Sequence, residues 1–210
     1  MIDEDKRYLS NSYECCGTVA SAPKLDHVVR DEEFYSFNVV TARNSGAYDT
    51  VPVVMSKCII DDENIKYGSR VHFKGQIRTY NKERHLMVYA YAMEVIKDDN
   101  ANDINKFEGD GFICKDTVYR ETPNGRQICD IMIAVNRCYG KSDYMPCIAW
   151  GRNAVRSGKF EVSDHVLVEG RFQSRGYHKV TDTGETVKKI AYEVSLSSIE
   201  QLIDEIGERE

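Results

Sequence analysis

The sequence lacks the signatures of several large classes of protein. Its seven cysteines are odd in number and form no CxxC pair, which argues against a disulfide framework and against a zinc ribbon. No run of 18 apolar residues occurs, and the first ten residues include no apolar segment of the kind found in secretory signals. We therefore expect a soluble, cytoplasmic protein with reduced thiols.

Catalytic motifs are equally scarce. The chain contains no GxSxG, P-loop or HExxH motif, and no pair of carboxylates stands at a recognisable spacing beside a candidate base. The five histidines are scattered, which gives a metal-ligand or general-base role little support. The sequence predicts that the protein is not an enzyme and that it has no cofactor, no metal site and no catalytic residues.

The chain also lacks an overall positive charge. Its net charge of -6 argues against unspecific binding of nucleic acid through a basic surface. The charge is unevenly distributed, however. Residues 106–199 hold 14 Lys and Arg against 12 Asp and Glu, whereas residues 1–105 hold 13 against 17. Residues 106–199 are therefore slightly basic, although the acidic last eleven residues and the acidic first half make the net charge of the whole chain negative.

What the sequence does contain is an internal repeat. Three pairs of segments share an offset of 94 residues: ECCG at 14–17 with EGDG at 108–111, FNVVTARNSG at 37–46 with IMIAVNRCYG at 131–140, and VPVVM at 51–55 with MPCIA at 145–149. Further along, the offset becomes 95 and then 99, which predicts four additional residues in the last hairpin of the second copy. A repeat of this length indicates duplication of a whole domain.

The repeat divides the chain into two domains. The segment between the copies is charged, rich in Asn and almost free of apolar periodicity, as an exposed linker is. We predict an N-terminal domain at 1–100, a linker at 101–108, a C-terminal domain at 109–199 and an acidic helical tail at 200–210.

Each copy has the pattern of a small β-barrel. Apolar or alternating runs of five to eight residues, rich in Val, Ile and Tyr, are separated by Gly, Asn, Asp and Pro. In the second copy a helical segment, NAVRSGKFEVS at 153–163, follows the third strand. This order is typical of an OB-fold. The predicted fold is all-β: two tandem OB-folds, each a five-stranded Greek-key barrel with a short helix, followed by a C-terminal helix.

The second copy resembles the bacterial single-stranded DNA-binding protein family along nearly its whole length. The motifs are TPNG at 122–125, IMIAVNR at 131–137, YMPCIAWGRNA at 144–154, VEGRFQSRGY at 168–177 and AYEVS at 191–195. In that family bases stack on aromatic side chains, and the resemblance implies that the stacking positions are Tyr139, Tyr144, Trp150 and Tyr177. It implies sequence-tolerant binding and protection of single-stranded DNA in replication, recombination or repair, by a protein associated with the nucleoid.

Basic residues surround these four rings. Bases stack on aromatic side chains for about 1–3 kcal/mol each whatever the base, while cations follow the phosphates. A single strand tyrosine is more often a packing residue, and Trp150 ends an apolar run that is also compatible with a core position. Four rings at four family positions favour stacking. The predicted phosphate contacts are Arg137, Lys141, Arg152, Arg171, Arg175 and Lys179.

The first copy departs from this pattern. Its counterparts of the first three rings are Ser45, Thr50 and Ser56, none of which can stack on a base. Tyr48 and Tyr80 are close in sequence, with basic residues nearby, but packing is the simpler interpretation of both. We expect the first copy to bind weakly and to serve mainly in packing or oligomerisation. The nearby basic residues are Arg43, Arg78, Lys82 and Arg84.

The resemblance also implies partners. Family members with two OB-folds per chain are dimers, so a homodimer with four barrels is expected. The family's usual acidic tail contains Pro and Phe, whereas residues 200–210 contain neither, which gives recruitment of replication proteins through this tail little support. Two alternatives remain: a duplicated OB-fold scaffold or primosome-type accessory protein with weak nucleic-acid binding, and single-stranded RNA as the ligand.

Overall fold

The computed structural model describes residues 11–83, 85–97, 102–137, 140–181 and 184–202, without the side chain of residue 179. Strands dominate both halves. The N-terminal half comprises β1 (Ser12–Val19), β2 (Lys24–Val29), β3 (Glu32–Ala42), β4 (Tyr48–Ser56), α1 (Lys57–Asp62), β5 (Arg70–Lys82) and β6 (His85–Val95). The C-terminal half comprises β7 (Ile104–Ile113), β8 (Val118–Glu121), β9 (Gln127–Asn136), β10 (Ser142–Trp150), α2 (Arg152–Ser157), β11 (His165–Val180) and β12 (Thr186–Gln201).

Each half closes into a five-stranded barrel, which confirms the predicted tandem OB-folds. In the first half β1 pairs with β3, β3 with β4, β4 with β6 in parallel, β6 with β5, and β5 with β1 again. In the second half β7, β9, β10, β12 and β11 close in the same order. The strands β2 and β8 are short additions at the two ends of the sheet. The predicted short helix follows the third barrel strand in both halves.

Alternation along the strands builds the two cores. In β9, Ile131, Ile133 and Val135 are buried, while Met132 and Ala134 between them are only half-buried. Successive side chains of a strand point to opposite faces, so this pattern turns one face of β9 into the barrel and leaves the other for the surface. The apolar residues of the repeated segments are therefore mostly core residues.

The barrels are joined through β1 and β7. These strands pair antiparallel from Ser12 opposite Glu108 to Cys16 opposite Ile104, which makes one continuous sheet of the twelve strands. The predicted linker at 101–108 is therefore wrong from residue 104 onward. The low apolar content of this segment was misleading, because a strand at a junction needs few apolar residues. Its Phe107 is fully buried.

Polar contacts at the junction repeat the same geometry twice. The side-chain amide of Asn11 bonds the backbone N–H and C=O of Ile77, at 2.9 and 2.6 Å. Asn105, which is 94 residues further on, bonds the N–H and C=O of Phe172, at 2.8 Å each. A side-chain amide that satisfies both backbone groups of one residue fixes the strand beside it. The register of β1 on β7 is centred on Tyr13 opposite Phe107, which are also 94 residues apart, so the two halves meet across a pseudo-two-fold axis.

Two buried carboxylates also span the junction. Asp143 of β10 accepts the Thr79 N–H at 2.5 Å and pairs with Arg78 at 3.1 Å, both from the other half. Its counterpart Asp49 of β4 accepts the Ser174 N–H at 3.2 Å. Within its own half, each carboxylate also pairs with the arginine six residues before it. We call Asp49 and Asp143 with these partners the interdomain clasps.

The last hairpin of the second half is longer than the sequence predicted. Gly75 pairs with Ala92, seventeen residues on, whereas Gly170 pairs with Leu196, twenty-six on. The second hairpin therefore contains nine additional residues and not four. The similarity of AMEVI to AYEVS was misleading, because strands on equivalent faces share an alternating pattern that fits at several registers.

The C-terminal tail differs from the prediction where it is described. β12 continues to Gln201, so the predicted helix does not begin at residue 200. Pairing of Leu167 with Glu200 and of Val166 with Gln201 extends the strand to this point. Residues 203–210, the rest of the predicted helical tail, lie outside the described residues. None of the helices in the described part of the chain is long and apolar enough to cross a membrane.

Candidate nucleic-acid interface

Trp150, the last residue of β10, lies at the surface with 37% of its area exposed. Its indole Nε1–H donates a hydrogen bond to the Ser195 hydroxyl oxygen at 3.2 Å. This bond ties the ring to β12 and fixes its orientation. A tryptophan that is held by its polar edge while part of its ring stays in solvent offers a surface for stacking. Trp150 is therefore not a plain core residue.

Basic side chains lie on two sides of Trp150. One groove of about 560 Å³ is lined by Trp150 together with Arg126, Arg171 and Arg175. A second groove of about 500 Å³ is lined by the same ring with Arg152 and Arg156. The tryptophan stands between the two, so a strand crossing the ring would meet guanidinium groups before and after it. This arrangement fits a phosphate backbone with bases turned toward the protein.

Tyr144 and Tyr177 extend the exposed aromatic surface. Tyr144 is 48% exposed and is six residues before Trp150 on the same face of β10, which corresponds to about 20 Å along the strand. Tyr177 is 36% exposed and lies on β11 opposite Lys189 of β12. The face of β11 that bears Tyr177 also bears Arg175, two residues earlier, and Arg171, six residues earlier. The three predicted rings that the structure describes thus lie on the outward faces of β10 and of the last hairpin.

Arg175 is held in place by an ion pair. Its Nε lies 2.9 Å from Oε1 of Glu193, across the hairpin, and Gln173 donates to the same oxygen at 2.8 Å. Glu193 is buried, so it needs these donors. The hydrogen bond to Glu193 raises the pKa of Arg175. Arg175 lines the first groove, with its orientation set by the carboxylate, and its contact with phosphate stays a prediction.

Arg137 is engaged differently from the predicted phosphate contact. Its Nε donates to Asp143 at 2.6 Å, and another of its N–H groups donates to the Thr79 carbonyl at 3.0 Å. The hydrogen bond to Asp143 raises the pKa of Arg137. A carboxylate buried as completely as Asp143 requires a cationic partner. Because Arg137 bonds Asp143 and the Thr79 carbonyl, it belongs to the interdomain clasp that is formed around Asp143.

The remaining predicted residues have separate positions. Lys141 is exposed, and its backbone carbonyl accepts the Arg137 N–H at 2.7 Å. Arg171 lines the first groove and lies 3.4 Å from Asp49, and burial lowers its pKa. Tyr139 lies outside the described residues, as does the side chain of Lys179.

Three arginines of this surface were absent from the predicted site. Arg126 follows the TPNG turn, whose Gly125 N–H donates to the Thr122 carbonyl at 2.8 Å. Arg156 lies on α2, one turn after Arg152. Arg43 comes from the N-terminal half and lines the first groove across the junction. Proximity of Arg126 to the family motif TPNG was an available signal, whereas no local pattern brings Arg43 to this groove.

The N-terminal half lacks these features at its equivalent positions. Ser56 stands in place of Trp150 and is buried at the start of α1. Thr50 stands in place of Tyr144, and its backbone N–H donates to the Ser174 hydroxyl at 2.9 Å. The Tyr144 N–H donates in the same way to the Thr79 hydroxyl at 2.8 Å, which confirms the equivalence of these positions.

Comparison with known proteins bears on the second half of the chain and on the tandem fold. Residues 104–202 match the model of the Single-strand binding protein family. The match covers 99 of the 210 residues and is confined to the second half of the chain. The matched segment contains the three described rings of the predicted stacking site, Tyr144, Trp150 and Tyr177. The first half contributes Arg43 to the groove from outside the matched region.

Individual relatives extend the comparison. The Bacillus subtilis protein named Single-stranded DNA-binding protein A is 32% identical over 74 residues, which cover 32% of this chain and 43% of that protein. The chain thus spans less than half the length of this relative.

Two structures of the single-stranded DNA binding protein from Thermus aquaticus superimpose on both halves. A deletion mutant has a TM-score of 0.72 at 17% identity, covering 95% of this chain and 98% of the other. The wild-type protein has 0.72 at 16%, covering 92% and 93%. These two structures share the tandem fold.

Proposed function

We propose that this protein binds single-stranded DNA with little dependence on sequence. Bases stack on Trp150, Tyr144 and Tyr177, with Tyr139 as a fourth ring, while arginines around Trp150 contact the phosphates. The observation that carries this proposal is the exposed, hydrogen-bonded Trp150 between two arginine-lined grooves, inside a segment that matches the Single-strand binding protein family.

The contacts of the arginines support an electrostatic contribution to binding. Arg126, Arg152 and Arg156 line the grooves beside Trp150, and Lys141 is exposed near Tyr144. Each phosphate that a cation neutralises releases condensed counterions, so affinity falls as salt rises. This local surface explains how a chain with a net charge of -6 binds a polyanion.

A competition experiment tests the proposal and separates DNA from RNA. Labelled oligo(dT) bound to the protein is challenged with unlabelled oligo(dT), mixed-sequence DNA, duplex DNA and oligo(U) of equal length. We expect both single-stranded DNAs to compete about equally and duplex DNA to compete poorly. Stronger competition by oligo(U) would make RNA the ligand. Absence of a complex with every one of these oligonucleotides would favour the scaffold interpretation.

We further propose that the protein acts as a homodimer of four barrels, in bacterial DNA replication, recombination or repair. The twelve-stranded sheet already joins two barrels in one chain, and the pseudo-two-fold junction is the intramolecular counterpart of a symmetric dimer contact. The associated site of action is the nucleoid in the cytoplasm. Sedimentation equilibrium tests the assembly: a mass near 48 kDa, twice the 24.0 kDa of one chain, is expected.

A further inference from the structure

Two strands at the ends of the sheet have one backbone edge without a partner strand. In the described part of the chain, β2 pairs with β3 alone and β8 pairs with β9 alone. The strand order places β2 first and β8 last among the twelve strands. An edge strand presents a row of backbone N–H and C=O groups that can pair with a further strand. Both edges are therefore candidate sites for the addition of a strand.

Both edges also carry exposed apolar side chains. On β2, Leu25, Val28 and Val29 are at least half exposed. On β8, Val118 is 54% exposed and Tyr119 is 43% exposed. An exposed apolar edge strand promotes association with another chain unless the edge is covered or charged. The apolar side chains of β2 and β8 thus favour contact with another molecule at both ends of the sheet.

The two ends of the sheet differ in charge. The hairpin at 24–33, which contains β2, holds four acidic and two basic residues. Its counterpart at 118–127, which contains β8, holds one acidic and two basic residues, so the net charges are -2 and +1. Two copies of the same end repel each other, whereas unlike ends attract. The charges therefore favour contact of β2 with β8 of another chain over contact of either edge with its own copy.

The alternation of the two strands allows apolar side chains to stand opposite one another in such a contact. Val118 pairs with Asp130 on the outer face of β9, so Tyr119 lies on the inner face. In β2, Val29 lies on the outer face and Val28 on the inner face by the same alternation. An antiparallel pairing that keeps the faces continuous can place Val29 opposite Val118 and Val28 opposite Tyr119.

The same register brings opposite charges together. Arg120 forms an ion pair with Asp130 within its own hairpin. The carboxylate of Asp26 lies 2.6 Å from the ring of His27. With Val29 opposite Val118, Arg120 of one chain stands opposite His27 and next to Asp26 of the other. The contact therefore adds the attraction of an exposed charge pair to the apolar contacts.

We propose that the edge of β2 in one chain pairs with the edge of β8 in a second copy, which continues the sheet from chain to chain. The contact joins two different surfaces, so it is heterologous and repeats in one direction as an open array. This contact goes beyond the proposed function, and only its consequence on DNA, the alignment of copies along one strand, rests on that function. It gives the oligomerisation expected of the first copy a specific surface.

The contact is small, because β8 has only four residues. Interfaces of this size belong to weak and transient associations. Copies that are held side by side on a long DNA strand meet at a much higher effective concentration. We therefore expect the contact at high protein concentration without DNA, and at low protein concentration in the presence of poly(dT).

Engineered cysteines test the proposal. The parent variant is Cys58→Ser, which removes an exposed thiol, and Val29→Cys and Val118→Cys are added to it singly or together. A short bismaleimide is the cross-linker, and denaturing gels give the product sizes. We expect the chain with both cysteines to give a ladder of dimers, trimers and longer products. An equimolar mixture of the two single-cysteine variants should stop at the dimer. Each of them alone should give no more product than the parent.

The products distinguish the possible failures. Dimers formed by one single-cysteine variant alone would mean that like edges meet, and would overturn the head-to-tail pairing. Absence of a ladder at high protein concentration and on poly(dT), with a poly(dT) complex present in a mobility assay, would overturn the contact and leave the proposed function intact. A ladder without DNA, together with no poly(dT) complex, would support the contact and contradict the proposed function. Absence of both ladder and complex would overturn both.

Reversal of charge provides an independent measurement in the same assay. In the chain with both cysteines, Arg120→Glu is expected to reduce the yield of the ladder about fivefold, close to the largest contribution of an exposed charge pair. Asp26→Lys is expected to act in the same direction. The two substitutions together should restore the yield, because opposite charges face each other again. Arg120→Lys is the matched control and should leave the ladder unchanged. An equal loss in Arg120→Glu and in the charge-swapped chain would contradict the proposed pairing.

Discussion

The two halves of this chain have the same barrel and different outer surfaces. Both close five strands in the same order, and both place a buried aspartate at the start of the third barrel strand. Their surfaces differ at the end of the third barrel strand, where the exposed Trp150 of one half corresponds to the buried Ser56 of the other. The two copies thus share the buried residues that the fold requires, while the exposed residues of the proposed binding surface differ.

The strongest test of the shared part concerns the interdomain clasps. Asp143→Ala is expected to reduce the free energy of unfolding by about 3–5 kcal/mol, since it leaves two arginines at the junction without their carboxylate. Asp49→Ala is expected to have a similar effect, because Asp49 makes equivalent contacts. Urea unfolding of both variants measures this. A loss below 1 kcal/mol for only one of them would contradict the pseudo-symmetry of the junction.

Gly75 and Gly170 stand at equivalent register shifts of the two long hairpins, so substitutions there compare how tightly the two hairpins are packed. A Cβ atom on Gly75 would lie 1.9 Å from the Tyr91 carbonyl oxygen, and one on Gly170 would lie 2.4 Å from that of Ser195. Backbone atoms must move in either case, at a cost of about 1–3 kcal/mol. Gly75→Ala should therefore destabilise the protein more than Gly170→Ala in thermal unfolding. The reverse order would show that the shorter hairpin is the more adaptable one.

The surfaces are compared by removing the side chains at equivalent positions. Trp150→Ala should weaken oligo(dT) binding by about 1–3 kcal/mol, the contribution of one stacked base. Ser56→Ala, its counterpart, should leave the affinity unchanged, because Ser56 is buried away from solvent. Fluorescence anisotropy of labelled oligo(dT) measures both. An equal loss in the two variants would mean that Trp150 acts through folding and not through stacking.

The smallest expected effect concerns one charge. Arg126→Ala should reduce affinity by less than about 1 kcal/mol and lower the slope of log K against log salt by about 0.7, the value for one phosphate contact on a single strand. The equivalent position in the first half is Glu32, and Glu32→Ala should leave the slope unchanged. A salt titration of both variants gives the slopes. An unchanged slope for Arg126→Ala would remove Arg126 from the proposed phosphate path.

Much of this fold could be predicted from the sequence. The repeat, the alternating strands and the position of the helix gave two OB-folds, because these patterns are local. The exposed rings at Tyr144, Trp150 and Tyr177 were also located, since they lie within continuous family motifs.

The junction could not be predicted in the same way. Arg137 was predicted to contact phosphate because it stands beside a ring position in the sequence. In the structure Arg137 pairs with Asp143, and Asp143 also accepts the N–H of Thr79, which is 64 residues earlier in the chain. The position of Arg43 in the groove likewise depends on a contact between the halves. Such contacts follow from the closed topology and leave no periodic signal in the chain.

The central claim is that Trp150 stacks on a base of single-stranded DNA, and its own fluorescence tests this most directly. The wild-type protein, which contains a single tryptophan, is titrated with oligo(dT) at low and at high salt. Strong quenching that saturates at low salt and weakens at high salt is the predicted result. Formation of a complex in a mobility assay with unchanged fluorescence would contradict stacking on Trp150.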